Sequence, residues 1–351
     1  MEKKFKKLLS TWYKKKSRNL PFRGSKDPWK ILVSEIMLQQ TTMETVLKRY
    51  SNFIDQFPDI QSLANSSEQE ALKAWEGLGY YRRVKNLRKT AIICCSEFNK
   101  KLPKKYSDLI KLPGIGKYTA AAISSICHKE KIAAIDGNVI RVVSRIFALE
   151  ENVDKSHGLK KINQFSSQLL DEKSPGDHNQ AMMDLGATIC IPKNPKCLSC
   201  PVSEMCKGFY SGDTTKYPIR NKKSKVPEVD VAIASIMEGE KILLVQRPKN
   251  TMLEGLWELP GGKVEKNETI EQACLRELNE ETGMNIKIER KIGIVKHVYS
   301  HLKVVLHIFS ATIKNKPNKG SRKQTWANIL NVNKLPIPTG TKKALSIIRK
   351  S

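Results

Sequence analysis

No apolar run in these 351 residues approaches the length of a membrane-spanning helix, so no membrane partner is expected. The basic stretch MEKKFKKLLSTWYKKKSRNL has neither the apolar core nor the small-residue cleavage site of a secretion signal. The expected compartment is therefore the cytoplasm. Internal repeats and low-complexity tracts are absent, and the length suits about two domains with cores of their own. Acidic residues are scarce: 35 Asp and Glu face 62 Lys and Arg, a formal net charge of +27. Such an imbalance points to a polyanionic partner, nucleic acid first. Lys outnumbers Arg more than threefold, so a lysine-biased composition accounts for part of the charge equally well.

What is present divides in two. The N-terminal stretch reads as an amphipathic basic helix with Phe5, Leu8, Leu9, Trp12 and Tyr13 as its apolar members. Up to about Tyr210 the pattern stays helical, as in Trp29–Leu38, Ser67–Trp75, Val84–Phe98, Tyr118–Cys127 and Val139–Leu149. From Val229 strands take over, with Val229–Met237 and Lys241–Gln246 around a Glu-Gly-Glu turn and Lys303–Phe309 further on. The spacing predicts a helical domain over 1–210, a basic linker over 211–227 and an α/β domain over 228–351.

Of eight cysteines, four fall in the run Cys190-x6-Cys197-x2-Cys200-x5-Cys206. Soft thiolates at these short gaps suit a tetrahedral Zn²⁺ or a four-iron cluster, and spacing alone leaves both open. Cys94, Cys95, Cys127 and Cys274 lie in helical patterns and read as core residues.

Leu112-Pro113-Gly114-Ile115-Gly116-Lys117-Tyr118 forms a glycine turn that opens a small-residue helix, together a helix-hairpin-helix over 108–127. Backbone N–H groups at such a turn point outward and suit a DNA phosphate. Glu35 lies in an apolar helix capped by Asp27-Pro28, where burial would raise its pKa and keep it protonated. Asp136 sits at an Asp-Gly-Asn turn before the Val139 helix, where capping alone would also explain it.

The hairpin and the cysteine run together resemble the helix-hairpin-helix DNA glycosylases. The segments SEIMLQQT (34–41), GLGYY (77–81), DGNV (136–139) and NQAMMDLG (179–186) narrow the likeness to adenine DNA glycosylases of the MutY type, over nearly the whole chain. That resemblance implies a [4Fe–4S] cluster on the four cysteines and a base-excision reaction on duplex DNA carrying 8-oxoguanine:A or G:A mispairs. It assigns Glu35 as the acid that protonates the leaving adenine and Asp136 as the stabiliser of the cationic sugar, with Tyr118 and Asn138 in support. Gln39, Gln40 and Tyr80 match the intercalating and strand-probing positions, and Gly114, Gly116 and Lys117 the hairpin. The enzyme is expected to act as a monomer near the nucleoid. The rival class is the endonuclease III-like glycosylase/lyases of oxidised pyrimidines, whose Schiff-base lysine falls where this chain has Tyr118. Lys117 is one step earlier, turned by about 100° on a helix, so a monofunctional enzyme is expected.

Gly262-x5-Glu268-x7-Arg276-Glu277-Leu278-x-Glu280-Glu281-x-Gly283 matches a complete Nudix box. The resemblance implies an all-α domain followed by a Nudix-fold α/β/α sandwich that reads 8-oxoguanine through Tyr299, Ser300 and His301. The intact box adds a second expectation, that Glu277, Glu280 and Glu281 converge on Mg²⁺ and hydrolyse oxidised nucleoside triphosphates.

Overall fold

A computed structural model describes residues 1–222, 225–299, 302–315 and 320–351. The first helices are α1 (Glu2–Lys16), α2 (Pro28–Leu38), α3 (Met43–Gln56), α4 (Ile60–Asn65), α5 (Glu68–Ala74), α6 (Arg82–Glu97) and α7 (Tyr106–Leu109). There follow α8 (Lys117–His128), α9 (Gly137–Phe147), α10 (Ser156–Leu169), α11 (Pro175–Thr188) and the short α12 (Lys207–Tyr210). The strands are β1 (Glu228–Glu238), β2 (Lys241–Gln246), β3 (Trp257–Glu258), β4 (Gly261–Lys263), β5 (Asn285–Tyr299), β6 (Leu302–Asn315) and β7 (Gln324–Asn328). Helix α13 (Ile270–Thr282) precedes β5, and α14 (Thr339–Ile348) closes the chain.

Two compact units result, Met1–Asn65 with Asn86–Lys223 and Ser66–Lys85 with Ser224–Ser351. Residues 66–85, read from the sequence as part of the helical half, thus group with the strands.

In the first unit α8, α9 and α11 meet around Ala121, Ala122, Val142, Val143, Met182 and Leu185, and α1 adds Phe5 and Leu9. Helix α2 is buried along most of its length because all but Lys30, Ser34 and Glu35 of its residues are apolar. Asp27 caps it, accepting from the Trp29 N–H at 2.9 Å, and Pro28 occupies the first turn where no N–H is needed. Two glycines set how close α11 comes to its neighbours. A Cβ on Gly176 would lie 2.8 Å from the Ile126 Cα, and one on Gly186 would lie 2.6 Å from the Asn138 Cβ.

The expected linker begins later than its composition suggested. Ile219 O accepts from the Val153 N–H at 3.0 Å, and Arg220 pairs with Asp154 at 2.7 Å. These bonds fix residues that look like linker only by being polar and basic.

In the second unit the sheet order is β3-β2-β1-β6-β5, with β4 on β1 and β7 on β2. Strands β1 and β6 run parallel, Val231 opposite Leu306, whereas β5 and β6 form an antiparallel hairpin. Side chains alternate across the sheet. Ala232, Ala234 and Ile236 pack with Cys274 and Leu278 of α13, and Ile233 packs with Ala344 and Leu345 of α14. One helix on each face makes the α/β/α sandwich.

Candidate active site

Within the first unit a cavity of about 480 Å³ is lined by Glu35, Gln39, Gln40, Tyr118, Asp136 and Asn138 among others. Four of these come from three separate elements. Glu35 is on α2, Tyr118 enters from the first turn of α8, and Asp136 and Asn138 open α9.

The Tyr118 hydroxyl donates to Glu35 Oε2 at 2.5 Å. Glu35 is 7 % exposed. Burial raises its carboxyl above the ordinary glutamate value, with the Tyr118 bond and the Arg23 charge opposing and Asp136 adding to the rise. Burial likewise raises the Tyr118 hydroxyl, and the Glu35 and Asp136 charges push it further up. Asp136 caps α9 by accepting from the Val139 N–H at 2.7 Å, and the Asn138 amide donates to its other oxygen at 2.7 Å. Burial raises the Asp136 carboxyl, and these two hydrogen bonds draw it back. The cavity therefore holds a carboxyl favoured in its protonated form beside one whose anion is hydrogen-bonded in place, a division of labour suited to acid-assisted cleavage of a glycosidic bond.

Sequence reasoning missed the cavity's cationic wall. Asp184 is fully buried and pairs with Arg18 and with Arg23, each at 2.6 Å, and Arg23 also donates to Gln180. Arg18, Arg23 and Gln180 all line the cavity. The polar residues Asn179, Gln180 and Asp184 beside the apolar Ala181, Met182, Met183 and Leu185 of α11 were the available signal. Asn179 turns elsewhere, accepting from the Ala134 N–H at 3.0 Å.

The hairpin forms as expected. Gly114 has φ +79, and a Cβ there would come within 2.8 Å of Asn86. Gly116 caps α8, and Lys117 beside it is exposed and does not line the cavity, whereas Tyr118 does. Gln39 donates to Thr119 at 3.3 Å, and Gln40 adopts φ +58 at the end of α2.

The four expected cluster cysteines lie in one loop ahead of α12. Each of the other three thiols acts on the Cys200 charge, and burial pushes that thiol up to about 12. A desolvated sulfur of this kind becomes a thiolate only against a positive centre. Backbone N–H groups of Val202 and Gly208 face Cys200 and Cys206. The Arg145 guanidinium, buried at 2 % exposure, lies 3.4 Å from Cys190 Sγ. It also donates to Ile191 O at 2.8 Å, Pro192 O at 2.9 Å and Tyr217 O at 3.1 Å. Donor type, mutual proximity and a cationic, N–H-rich surround fit an anionic thiolate-ligated cluster. Among the described residues, no three His, Cys, Asp or Glu side chains are closed up on a single-ion position. Arg141 connects this loop to the active site, donating to Asn138 Oδ1 at 2.9 Å, to Gly186 O at 2.6 Å and to Cys190 O at 2.7 Å.

In the second unit the Nudix box forms its helix and its glycine approach, since a Cβ on Gly262 would lie 2.1 Å from the Glu277 carboxyl carbon. Of the three expected metal ligands, Glu277 and Glu281 approach the Gly261–Gly262 backbone, and arginines pair with all three. Glu281 turns inward, accepting from the Gly261 N–H at 3.0 Å and pairing with Arg322 at 2.7 Å. Burial pushes its carboxyl up to about 8, against the pull of Arg322. Glu277 lies 3.1 Å from Arg276, whereas Glu280 is largely exposed, 3.5 Å from the same arginine. Arginines thus stand among carboxylates that the sequence had assigned to Mg²⁺; nothing in the Nudix box itself marks Arg322, 41 residues further on than Glu281. Tyr299 ends β5 opposite Leu302, and Ser300 and His301 lie outside the described residues. Tyr80 belongs to the second unit, exposed at 39 % in a left-handed turn with φ +48.

A helix-hairpin-helix base-excision glycosylase carrying a C-terminal Nudix-type unit is the class that this fold and cavity define. Residues 33–168 match the HhH-GPD superfamily of base excision DNA repair proteins, and residues 231–346 match the NUDIX domain. The adenine DNA glycosylase of Buchnera aphidicola subsp. Schizaphis graminum is 35 % identical, with 98 % of this chain and 99 % of the relative covered. The adenine DNA glycosylase of Homo sapiens is 31 % identical over 88 % of this chain and 67 % of its own. Among solved structures, a thermostable thymine-DNA glycosylase superposes with a TM-score of 0.55 at 28 % identity, covering 60 % of this chain and 97 % of that one. An endonuclease III–DNA complex, at 19 % identity and a TM-score of 0.51, shares the fold. The chain belongs to the adenine DNA glycosylase family of base-excision repair enzymes.

Proposed function

We propose that this enzyme hydrolyses the N-glycosidic bond of adenine paired with 8-oxoguanine, or with guanine, in duplex DNA and leaves an abasic site without cutting the strand. The observation that carries the reading is the buried Glu35, hydrogen-bonded by Tyr118 in the cavity that also holds Asp136. Protonated Glu35 delivers its proton to the leaving base, which lets the bond break toward a cationic sugar. The carboxylate of Asp136 faces that cation and stabilises it, and Asn138 holds the carboxylate in place. Glu35, now ionised, accepts a proton from the attacking water. The exposed Lys117 is not in the cavity, which favours hydrolysis over Schiff-base lyase chemistry. Cys190, Cys197, Cys200 and Cys206 would hold a [4Fe–4S] cluster, which supplies no step of the hydrolysis. This chain's Arg141 ties that loop to the Asp136–Asn138 turn, and Arg145 holds the loop itself. The second unit reads the partner base, through Tyr299 and with Tyr80 as the probing aromatic. The Arg322–Glu281 pair favours this role over nucleotide hydrolysis.

Single-turnover cleavage of duplexes with 8-oxoguanine:A, G:A, T:A and thymine glycol:A, with and without alkali, tests the proposal. Adenine release fastest opposite 8-oxoguanine, with breakage only after alkali, is expected. Strand breakage at thymine glycol without alkali would move the enzyme to the lyases.

A further inference from the structure

The segment that carries Tyr80 is bonded to the Nudix-type sheet through several side chains, of which Gln69 makes two hydrogen bonds at once. Gln69, in the first turn of α5, uses both ends of its amide. Its Nε2 donates to Gly255 O at 3.0 Å, and its Oε1 accepts from the Trp257 indole N–H at 3.0 Å. Trp257 is itself a core residue of the sheet, 6 % exposed. Gly255 has φ +84, and a Cβ there would come within 3.2 Å of Leu72, so α5 lies directly on that turn. Ion pairs flank the contact: Lys85 bridges Glu68, at 3.0 Å, and Glu254, and Lys342 reaches Glu76 at 2.7 Å.

From α5 the bonding continues to Tyr80. Trp75 caps the helix, is fully buried, and donates through its indole N–H to Gly79 O at 3.1 Å. Arg83 donates to Leu78 O at 2.8 Å and to Gly79 O at 3.0 Å, and its guanidinium lies 5.3 Å from the Trp75 ring and 5.6 Å from the Tyr80 ring. A left-handed conformation at a tyrosine costs free energy and persists only where its surroundings impose it; these contacts do so.

On the sheet side, Arg247 brackets the same turn. Its carbonyl accepts from the Gly255 N–H at 3.0 Å, its own N–H donates to Leu256 O at 2.9 Å, and its guanidinium holds both Glu258 oxygens at 2.8 Å. Glu258 and Arg247 are the charged groups that act on the Tyr299 hydroxyl. Tyr80 thus stands at one end of a set of contacts that passes through Gln69 and Trp257 to the turn bracketed by Arg247, whose charge, with that of Glu258, reaches the Tyr299 hydroxyl.

We propose that Gln69 is a positioning residue for adenine removal: it ties the Tyr80 turn to the strand bearing Trp257, so that the partner base engaged by the C-terminal unit sets how Tyr80 enters the duplex. The inference rests on the partner-base reading given above. Spatial continuity is not coupling, and a double-mutant cycle is the direct measure of coupling.

The experiment compares the full-length parent with Gln69→Ala, Trp257→Phe, Tyr80→Ala and Gln69→Ala/Tyr80→Ala. Trp257→Phe removes the indole donor while keeping an aromatic ring in the core. Single-turnover rates at saturating enzyme give the ratio of 8-oxoguanine:A to G:A cleavage. A 2-aminopurine beside the 8-oxoguanine reports unstacking, independently of chemistry. Gln69→Ala and Trp257→Phe are each expected to lower the rate ratio by about tenfold, in the range of interaction energies for directly coupled residues. Gln69→Glu, which keeps the acceptor for Trp257 and loses the donor, falls between. In the Tyr80→Ala background the Gln69 substitution should change nothing further, and both single variants should lose the unstacking signal. Independent, multiplying effects of Gln69 and Tyr80, or an unchanged ratio in Gln69→Ala, overturn the proposal. Should the parent itself remove adenine with no preference for 8-oxoguanine, the partner-base reading fails. The unstacking signal then decides this one: its loss in Gln69→Ala upholds the tie to Tyr80, and its retention overturns it.

Discussion

Tyr118 and Glu35, 83 positions apart in the chain, share a hydrogen bond in which the phenol donates to the carboxyl. The bond favours the anion, whereas burial disfavours it and is the larger effect. Tyr118→Phe removes the opposing influence, so the Glu35 pKa rises further. Because the proposed acid must be protonated at the start of the reaction, the high-pH limb of the single-turnover profile should move to higher pH. Glu35→Gln should lower the rate by about a thousandfold, the mid-range contribution of a general acid, while duplex affinity persists.

The same burial makes Glu35 a stability liability at neutral pH. A carboxyl that binds its proton more tightly folded than unfolded contributes stability that is complete below the ordinary glutamate pKa of 4.5 and is lost as pH rises through the folded value. Glu35→Gln should therefore melt higher than the parent at pH 7 and 8, and the gain should vanish below pH 4.5. Calorimetric melts across that range check the sign.

Asp136 serves both as helix cap and as the carboxylate of the cavity. Asparagine keeps an acceptor for the Val139 N–H and removes the charge. Asp136→Asn should leave the melting temperature within a few degrees, since capping by Asn and Asp is nearly equivalent, and adenine release should collapse. Loss of both together would mean that the carboxylate's role is structural.

Arg322 holds Glu281 where a Nudix hydrolase would place a metal ligand. The parent should not bind Mn²⁺ at this position in an electron paramagnetic resonance titration. Arg322→Met should open the position, with binding that strengthens as pH rises, because Glu281 titrates at about 8 before its guanidinium partner is removed. Glu281→Gln in that background should abolish binding. Tight Mn²⁺ binding by the parent would refute the self-occupied site.

Arg145 donates three hydrogen bonds to carbonyls of the cysteine loop and its flank. Arg145→Met should cost about 3 kcal/mol, as expected when buried acceptors lose a charged donor. The purified variant should carry less iron and sulfide per chain. Full iron content with parental urea stability would show that the loop holds itself without this cation.

Local chemistry made much of this molecule legible. Asp27-Pro28 marked the start of α2, the Leu112–Gly116 turn marked the hairpin, and Val229–Met237 read as a strand. These signals lie within a few residues of one another, where propensity, capping and turn geometry operate. Glu35 and Asp136 could be named from their motifs, whereas their hydrogen bonds to Tyr118 and Asn138 had to await the packing. The grouping of residues 66–85 with the sheet left no mark in the composition of a helix that resembles its neighbours.

By itself the sequence determined the two kinds of architecture, the four-cysteine loop and the residue types able to cleave a glycosidic bond. Periodicity and short-range spacing express those directly. Only the tertiary structure decided which polar groups meet: Asp184 with Arg18 and Arg23, Glu281 with Arg322, and Gln69 with the Trp257 indole. These pairs join residues from 41 to 188 positions apart. Burial fixes the strength of such interactions, and burial belongs to the packed chain rather than to any one segment of it.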